Sequence, residues 1–272
     1  SWGDSLCSYG KICKLLKDRG EKKANVVYFG LDQNICELIK SQPNIDKVSW
    51  LKIDTPSVIG KYINMAVRDV PQWLEETGIK DQLPDIVPTH VTLKDQHQNY
   101  NDCYRDFDLL LPPSLGNWDE FLADKTPYIL LQPYSTQSCS YEDHWQFWKQ
   151  AMNYLVEKTD KNIVVVGEMP DTLKDIFDLE LFENPKVTCI VGQTRSMLDV
   201  LHIANGASAI VTTSNALSCW SVIKKIPALV TCNKIIKEAT PYYYNWIKSG
   251  KNIVLDHDAN FESFKAAFSV LI

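Results

Sequence analysis

The sequence predicts an α/β fold made of two similar halves with a cleft between them. Each half is expected to hold a parallel sheet with helices on both faces. The prediction rests on short apolar segments that alternate with amphipathic, helix-like segments along the chain. It also rests on a linker-like stretch in the middle, Pro112-Pro113-Ser114 followed by Gly116-Asn117. We place the domain boundary between residues 115 and 116, and 272 residues suffice for two ordinary domains.

The first half begins with a helix rather than a strand. We expect helices at 5–16 and 31–39, with strands at 26–29 and 47–53. The remaining elements expected in this half are helices at 58–67 and 71–76 and short strands at 86–93 and 107–111. A doubly wound domain normally starts with a strand, so we expect a short hydrophobic strand to precede Ser1.

The second half shows the alternation more clearly. We expect a short helix at 118–123, a strand at 128–132, a helix at 143–156 and a strand at 163–166. Residues 187–231 then predict a βαβαβ run, with strands at 187–191, 209–212 and 228–231. The tail, 242–272, is expected to form helices around a strand at 252–255, with its last helix returning to the first domain.

Composition limits the function classes. The net charge is −6 and the pI about 5.4, which argues against a nucleic-acid partner because duplex DNA usually needs a basic face. No apolar run approaches the roughly 20 residues that a membrane span needs. The eight cysteines are dispersed without a CxxC pair, which favours reduced thiols and a cytoplasmic protein. Since HExxH, P-loop and GxGxxG motifs are missing, neither a zinc protease nor a common nucleotide motif is indicated.

Three polar turns follow strands of the second half and should meet at one edge of its sheet. They are 133–138 (PYSTQS), 192–194 (GQT) and 213–215 (TSN). Small hydroxyl and amide groups beside helix N-termini suit a nucleotide diphosphate. The alternative is that these residues simply cap helices, as Ser196 and Asp199 would in a capping box. Three such turns at one edge favour the ligand.

Two acidic residues are further candidates. Asp4, between Gly3 and Ser5, lies at the corresponding edge of the first half and could take a proton from an acceptor hydroxyl. It could equally be the N-cap of the first helix. Glu168 follows a strand and could accept hydrogen bonds from a ribose, or be a solvated turn residue.

Four segments together resemble the heptosyltransferase-like glycosyltransferases. SWGDSL resembles the family's Ser-x-Gly-Asp turn, and LLQPYSTQ its strand followed by a Pro-Gly-small-Ser turn. IVGQTRSMLDVLHIANGASAIVTTSNALS resembles its Val-Gly-x-Thr helix and next strand, and IPALVTCNK the strand after that. The resemblance implies a GT-B fold, in which two Rossmann-like domains face a cleft. Residues 1–115 would then hold the acceptor and residues 116–272 a nucleotide sugar.

The resemblance also implies roles for residues. Asp4 would be the catalytic base, with Gly3 and Ser5 beside it on the acceptor side. Ser135 and Thr136 would contact the donor phosphates, and the loop from Gly192 to Thr194 would lie against the nucleoside. The donor-side candidates are Ser135, Thr136, Gln137, Glu168, Gly192, Gln193, Thr194, Met197, Ser214 and Asn215. The implied activity is inverting, metal-independent glycosyl transfer without a cofactor, from a nucleotide sugar to a glycan or another hydroxyl-bearing acceptor.

The chain departs from the family pattern at charged positions. SCSYEDHW lacks the lysine of the family's Lys-x-Trp-Pro, which binds phosphate. The family's Asp-Ser-Gly-Pro-x-His falls on residues 214–219, where Ser214 replaces the aspartate and Cys219 the histidine. These losses leave open a catalytically inactive binding protein. A GT-B sugar epimerase and a transferase acting on nucleic acid are further alternatives, the last disfavoured by the acidic charge.

Overall fold

The computed structural model describes residues 2–30, 32–52, 107–114, 116–133, 144–167, 182–232, 234, 237, 241–256 and 259–272. The chain divides into two compact units. The larger unit comprises Ser1–Cys7 and Arg105–Ile272, and the smaller unit Ser8–Tyr104. The boundary that we predict between residues 115 and 116 stays a prediction.

The described part of the smaller unit is a parallel βαβ segment. Its elements are the long helix α1 (Trp2–Arg19), which starts in the larger unit, β1 (Ala24–Gly30), α2 (Asn34–Lys40) and β2 (Ile45–Lys52). β1 pairs with β2 in parallel, as a crossover helix between them requires. The predicted elements of this segment are confirmed, although α1 begins at Trp2 rather than Ser5. The elements predicted at 58–67, 71–76 and 86–93 lie outside the described residues.

The strand predicted at 107–111 is wrong. These residues have no regular secondary structure. The Asp108 carboxylate accepts the backbone N–H of Leu109 at 2.8 Å and pairs with Lys224 at 2.5 Å. Leu109 is buried. Apolar residues that anchor an extended segment give the same sequence pattern as a strand, although no ladder forms.

The larger unit is built on a six-stranded sheet in the order β5-β4-β3-β6-β7-β8. Every neighbouring pair in it is parallel. In chain order its elements are α3 (Trp118–Leu122), a 3₁₀ turn (Ala123–Lys125), β3 (Tyr128–Gln132), α4 (His144–Lys158), β4 (Asn162–Val165), β5 (Val187–Cys189), α5 (Met197–Asn205), β6 (Ala209–Thr213), α6 (Ala216–Lys224), β7 (Ala228–Thr231), α7 (Pro241–Lys248), β8 (Asn252–Leu255) and α8 (Phe261–Leu271). The α/β prediction is therefore confirmed.

Helices cover both faces of this sheet. All residues of β3 are buried, as expected for a strand in the middle of a parallel sheet. One face carries Ile129 and Leu131 and packs against α4 and α8 through Trp148 and Phe264. Leu130 points to the other face and is equally buried. On that face α6 packs against β6 and contacts both α5 and α7.

The order of the strands fixes where a ligand can bind. From β3 the chain first builds outward through β4 to β5, then returns to the other side of β3 with β6 and continues to β8. This is the doubly wound order, and its direction reverses between β3 and β6. In open parallel sheets ligands bind beyond the carboxyl ends of the strands at this reversal.

The tail helix α8 completes the larger unit. It contacts α4 and the strands β7 and β8. Asn260 caps it, because the side chain of Asn260 accepts the backbone N–H of Ser263 at 3.0 Å. Within the part of the chain that the structure describes, no helix has the length and hydropathy to cross a membrane.

Candidate functional site

Several of the polar candidate residues of the larger unit lie at the carboxyl edge of its six-stranded sheet. Gln132 ends β3, the 192–194 loop follows β5, and the 213–215 turn joins β6 to α6. Because all six strands are parallel, these segments lie at one edge. The first predicted turn is described only as far as Pro133, so Ser135, Thr136 and Gln137 lie outside the described residues, as does Glu168.

A hydrogen-bond network spans the reversal between β3 and β6. Asn215 Nδ2 donates to Gln132 Oε1 at 2.8 Å and approaches Thr212 Oγ1 at 3.0 Å and Thr213 Oγ1 at 3.2 Å. Thr212 Oγ1 lies 3.5 Å from Gln132 Oε1. Gln132 and both threonines are buried. The strand ends at the predicted binding crevice are therefore joined by neutral polar side chains.

Asn215 is also the N-cap of α6. Its Oδ1 accepts the backbone N–H of Leu217 at 2.8 Å. Its own backbone N–H donates to Ser218 Oγ at 3.1 Å, which completes a capping box. Asn215 therefore caps α6, as the alternative interpretation of this turn predicts. Its side-chain nitrogen contacts Gln132 at the end of β3.

Ser214, the other predicted donor-side residue of this turn, is buried. Its backbone N–H donates to Thr231 O at 2.9 Å, and its side chain hydrogen-bonds the Cys232 thiol. Burial raises the pKa of that thiol to about 11, against the opposing effect of Ser214. Cys232 is therefore a neutral thiol at physiological pH.

Two glycines with positive φ lie beyond β4 and β5, on the side of Gln132 opposite to Asn215. Gly167, directly beyond β4, has φ +135°, and Gly192, beyond β5, has φ +72°. Gly192 N donates to Gly167 O at 2.9 Å. A Cβ at Gly167 would lie 3.9 Å from Gln132 Cγ, so the glycine borders the glutamine side chain. At Gly167 the backbone beside Gln132 carries no side chain, which lets a ligand approach it closely.

The predicted GQT loop is open to solvent. Gly192 and Gln193 are exposed, while Thr194 and Met197, the first residue of α5, are half-buried. Gln193 Nε2 donates to Cys189 O at 3.1 Å, which folds the loop back onto β5.

The capping box predicted for Ser196 and Asp199 is wrong. Ser196 is the N-cap residue of α5, but its side chain makes no capping hydrogen bond. Asp199 is fully buried and accepts from Arg195 N at 2.9 Å and from Ser114 Oγ at 3.2 Å. His202, on the same helix, lies 2.7 Å from Pro112 O. Asp199 therefore holds the 112–114 segment on α5 instead of closing a box.

Asp4 lies in the first turn of α1, within the part of that helix that belongs to the larger unit. The structure describes its backbone but not its side chain. Gly3 is buried and Ser5 half-buried. One turn further along, Cys7 Sγ lies 3.7 Å from Cys219 Sγ on α6. The predicted base and the Asn215 cap therefore lie near the starts of two helices that touch.

A charged cluster occupies the β8 end of the same edge. Asp256 accepts from Lys237 Nζ at 2.7 Å and from Tyr244 OH at 2.7 Å. Burial raises the pKa of Asp256, but the hydrogen bonds of Lys237 and Tyr244 outweigh it and leave the pKa below the ordinary value. Burial raises the pKa of Tyr244 to about 12, helped by the bond to Asp256. Lys237 and Lys248 both lie over the Tyr244 ring, at 5.8 and 5.7 Å.

Two site features were missed from the sequence. The sequence places Gln132 at the end of a predicted strand, and a polar residue that ends an apolar strand before a turn is a usable signal of a site residue. Nothing in the sequence indicates that Gly167 borders the site. For metals, no group of three or more His, Cys, Asp or Glu residues in the described ranges could hold an ion, and metal independence stays a prediction.

Several of the solved structures that are similar to this chain are glycosyltransferases by name. Glycosyl transferase family 9 from Veillonella parvula matches with a TM-score of 0.59 and 13% identity, over 99% of this chain and 86% of that one. E. coli ADP-heptose LPS heptosyltransferase II matches with a TM-score of 0.61 and 14% identity, over 99% and 95%. E. coli heptosyltransferase WaaC with ADP-2-deoxy-2-fluoro heptose matches with a TM-score of 0.58 and 12% identity, over 99% of this chain and 96% of that one.

No protein-family model matches the chain, and no curated protein matches it. At the identities of the structural matches, the likeness concerns the fold. The predicted resemblance is confirmed at that level: the chain has the α/β fold of the heptosyltransferase-like glycosyltransferases.

Proposed function

We propose that this protein is an inverting, metal-independent glycosyltransferase that uses a nucleotide-diphosphate sugar. The single observation that carries the proposal is the amide network of Gln132 and Asn215 at the carboxyl edge, where the strand order reverses. That position is where a doubly wound sheet binds nucleotides. The fold match over 99% of the chain supports transfer of a sugar in particular.

The donor would lie at this edge of the larger unit. The N-termini of α5 and α6 supply helix-dipole potential, and the amides and hydroxyls beside them supply neutral donors. Such groups stabilise the charge that develops on a departing diphosphate without moving during the reaction. One structural neighbour is a heptosyltransferase solved with ADP and with an ADP-sugar analogue, which supports a nucleoside diphosphate as leaving group here.

Asp4 is proposed as the base. An α-helix rises about 1.5 Å per residue, so Asp4 lies about 4.5 Å along α1 from Cys7. By the same measure the Asn215 cap lies about 6 Å along α6 from Cys219. The contact of Cys7 with Cys219 supports this assignment, because it brings the first turn of α1 close to the start of α6 within the larger unit.

The proposed reaction is a single displacement. Asp4 takes the proton of the acceptor hydroxyl while that oxygen bonds to the anomeric carbon. The bond from this carbon to the phosphate oxygen breaks, and the nucleoside diphosphate leaves with the electron pair. The acceptor is a glycan or another hydroxyl-bearing molecule. All six described cysteines are free thiols, which supports a reducing compartment such as the cytoplasm.

The test compares Asp4→Asn with Asp18→Asn, an exposed aspartate on the same helix. Nucleotide sugars are presented with candidate acceptors, and release of nucleoside diphosphate is followed. We expect Asp4→Asn to lose at least about a hundredfold in turnover while keeping donor affinity, because base catalysis contributes about 10²–10⁴. Asp18→Asn should behave as wild type. Full turnover in Asp4→Asn would remove Asp4 from the mechanism.

A nucleotide-sugar-binding protein without turnover is the second candidate. Cys219 stands where the family pattern has a histidine, and it is fully buried against Cys7. Its side chain therefore cannot reach a ligand. Tight donor binding with no nucleotide release, for any acceptor tried, would favour this candidate.

A further inference from the structure

The orientation of the Gln132 amide follows from its neighbours. A backbone N–H is always a donor, so the Asn215 atom that contacts Leu217 N at 2.8 Å is the oxygen. The nitrogen of Asn215 therefore faces β3, and the Gln132 atom 2.8 Å from it is the oxygen. We call this chain of hydrogen bonds, from Leu217 through Asn215 to Gln132, the amide relay.

The relay leaves one donor unused. Gln132 Oε1 accepts from Asn215 and approaches Thr212, whereas Gln132 Nε2 has no hydrogen-bond partner among the described residues. The Gln132 residue is only 8% exposed overall, but its Nε2 is not among the fully buried side-chain atoms that lack a partner, so this nitrogen stays accessible to a ligand at the sheet edge.

The surroundings of Gln132 Nε2 fit an anionic oxygen. The nitrogen faces away from Asn215, and Gly167 borders the Gln132 side chain without one of its own. Because its oxygen is held by Asn215, Gln132 can present only a donor to a ligand. The start of α6, which is positive, lies at the other end of the relay.

We propose that Gln132 Nε2 donates a hydrogen bond to a phosphate oxygen of the donor diphosphate, and that Asn215 positions it by fixing the orientation of its amide. This inference rests on the proposed function and assigns a phosphate contact that does not need the missing lysine. Gln132 acts on the ligand directly, and Asn215 acts through Gln132.

The test measures binding of ADP, UDP and GDP, of the matching nucleosides, and of the variants Gln132→Glu and Gln132→Met by calorimetry. A carboxylate at 132 can still accept from Asn215 but has no donor and carries charge. We expect Gln132→Glu to weaken diphosphate binding by about tenfold or more and Gln132→Met by less. Nucleoside binding should not change, which separates a phosphate contact from a base or ribose contact. Gln150→Glu, an exposed site on α4, is the control for added charge.

Asn215→Ser tests the positioning role, because serine keeps a capping oxygen and removes only the amide nitrogen. It should weaken diphosphate binding in wild type and have no further effect in the Gln132→Met background. Equal effects in both backgrounds would show a merely structural role. If wild type binds a diphosphate and folded Gln132→Glu binds it equally well, the inference fails while the proposed function stands. If wild type binds none, both fail.

Discussion

Cys7 Sγ lies 3.7 Å from Cys219 Sγ, although 212 positions separate the two cysteines in the chain. The contact packs the first turns of α1 against the buried helix α6. Asp4 precedes this contact by one turn of α1, and the Asn215 cap precedes it by about one turn of α6. The start of α1, which carries the proposed base, therefore lies close to the start of α6.

This packing predicts a specific cross-link. A disulfide needs the sulfurs about 2.05 Å apart, so the two sulfurs must approach each other by about 1.7 Å to form the bond. Diamide, which removes two electrons and two protons from a thiol pair, should join Cys7 to Cys219 over hours of incubation. Mass spectrometry of peptides after alkylation would detect the link. Cys7→Ser is the control and should give no link to Cys219; a link from Cys7 to Cys13 or Cys36 instead would contradict the placement of α1.

The buried Asp199 predicts a large loss of stability on truncation. Asp199→Ala would leave the backbone N–H of Arg195 and the hydroxyl of Ser114 without their acceptor. We expect a loss of about 2–4 kcal/mol in the free energy of unfolding, measured by urea titration. Asp119→Ala, an exposed site on α3, should cost less than about 0.5 kcal/mol. Equal losses would mean that Asp199 does not anchor the 112–114 segment.

The Asp256 cluster predicts a pH-dependent contribution to stability. The pKa of Asp256 is lower in the folded protein than its ordinary value of 3.8, so the folded state favours the carboxylate. This contribution to the stability of the folded protein is present above pH 3.8 and is lost as the pH falls through the pKa of the folded state. Asp256→Asn should therefore cost up to about 1 kcal/mol near neutral pH, since the pair with Lys237 is partly exposed.

The difference in unfolding free energy between wild type and Asp256→Asn should disappear at pH values well below 3.8, where the wild-type carboxyl is protonated. Urea unfolding at both pH values measures it. The control is Asp46→Asn, whose more exposed pair with Lys23 has a distance of 3.3 Å and should contribute less. If the stability difference between wild type and Asp256→Asn grew on acidification, it would contradict a lowered pKa of Asp256.

Two glycines with positive φ should respond differently to the same substitution. Gly20, which ends α1, has φ +66°, a left-handed conformation that asparagine tolerates. Gly167 has φ +135°, which side-chain-bearing residues rarely adopt. We expect Gly167→Asn to cost about 1–3 kcal/mol in unfolding free energy. Gly20→Asn should cost less, and the reverse order would contradict the backbone described beside Gln132.

The sequence allowed the sheet of the larger unit to be predicted closely. The strands Tyr128–Gln132, Ala228–Thr231 and Asn252–Leu255 have the predicted bounds, because each is an apolar run between polar or turn residues. The apolar pattern at 107–111 wrongly predicts a strand, since Leu109 is buried there in a segment without regular secondary structure. The segment contacts α6, which lies far away in sequence, through the ion pair of Lys224 with Asp108.

The site was predictable only in part. The polar turns and their common edge follow from strand direction, which the βαβ pattern determines. The role of Gln132 depends on Asn215, which lies 83 positions away and reaches it only once β3 and β6 are neighbours. The same holds for the Asp199 contact with Ser114, which replaced a local capping box. Pairings of this kind are set by topology rather than by spacing.

A thermal-shift panel with ADP, UDP, GDP, CMP and dTDP, followed by the matching nucleotide sugars, would reveal a donor site in this protein, with adenosine, uridine and pyrophosphate as controls. A ligand at 100 times its Kd adds about 2.7 kcal/mol to the stability of the unit that binds it. We expect a clear rise in Tm with one diphosphate and its sugar, and little or no rise with its nucleoside. A folded protein whose Tm changes with none of them would contradict a donor site at the Gln132–Asn215 edge.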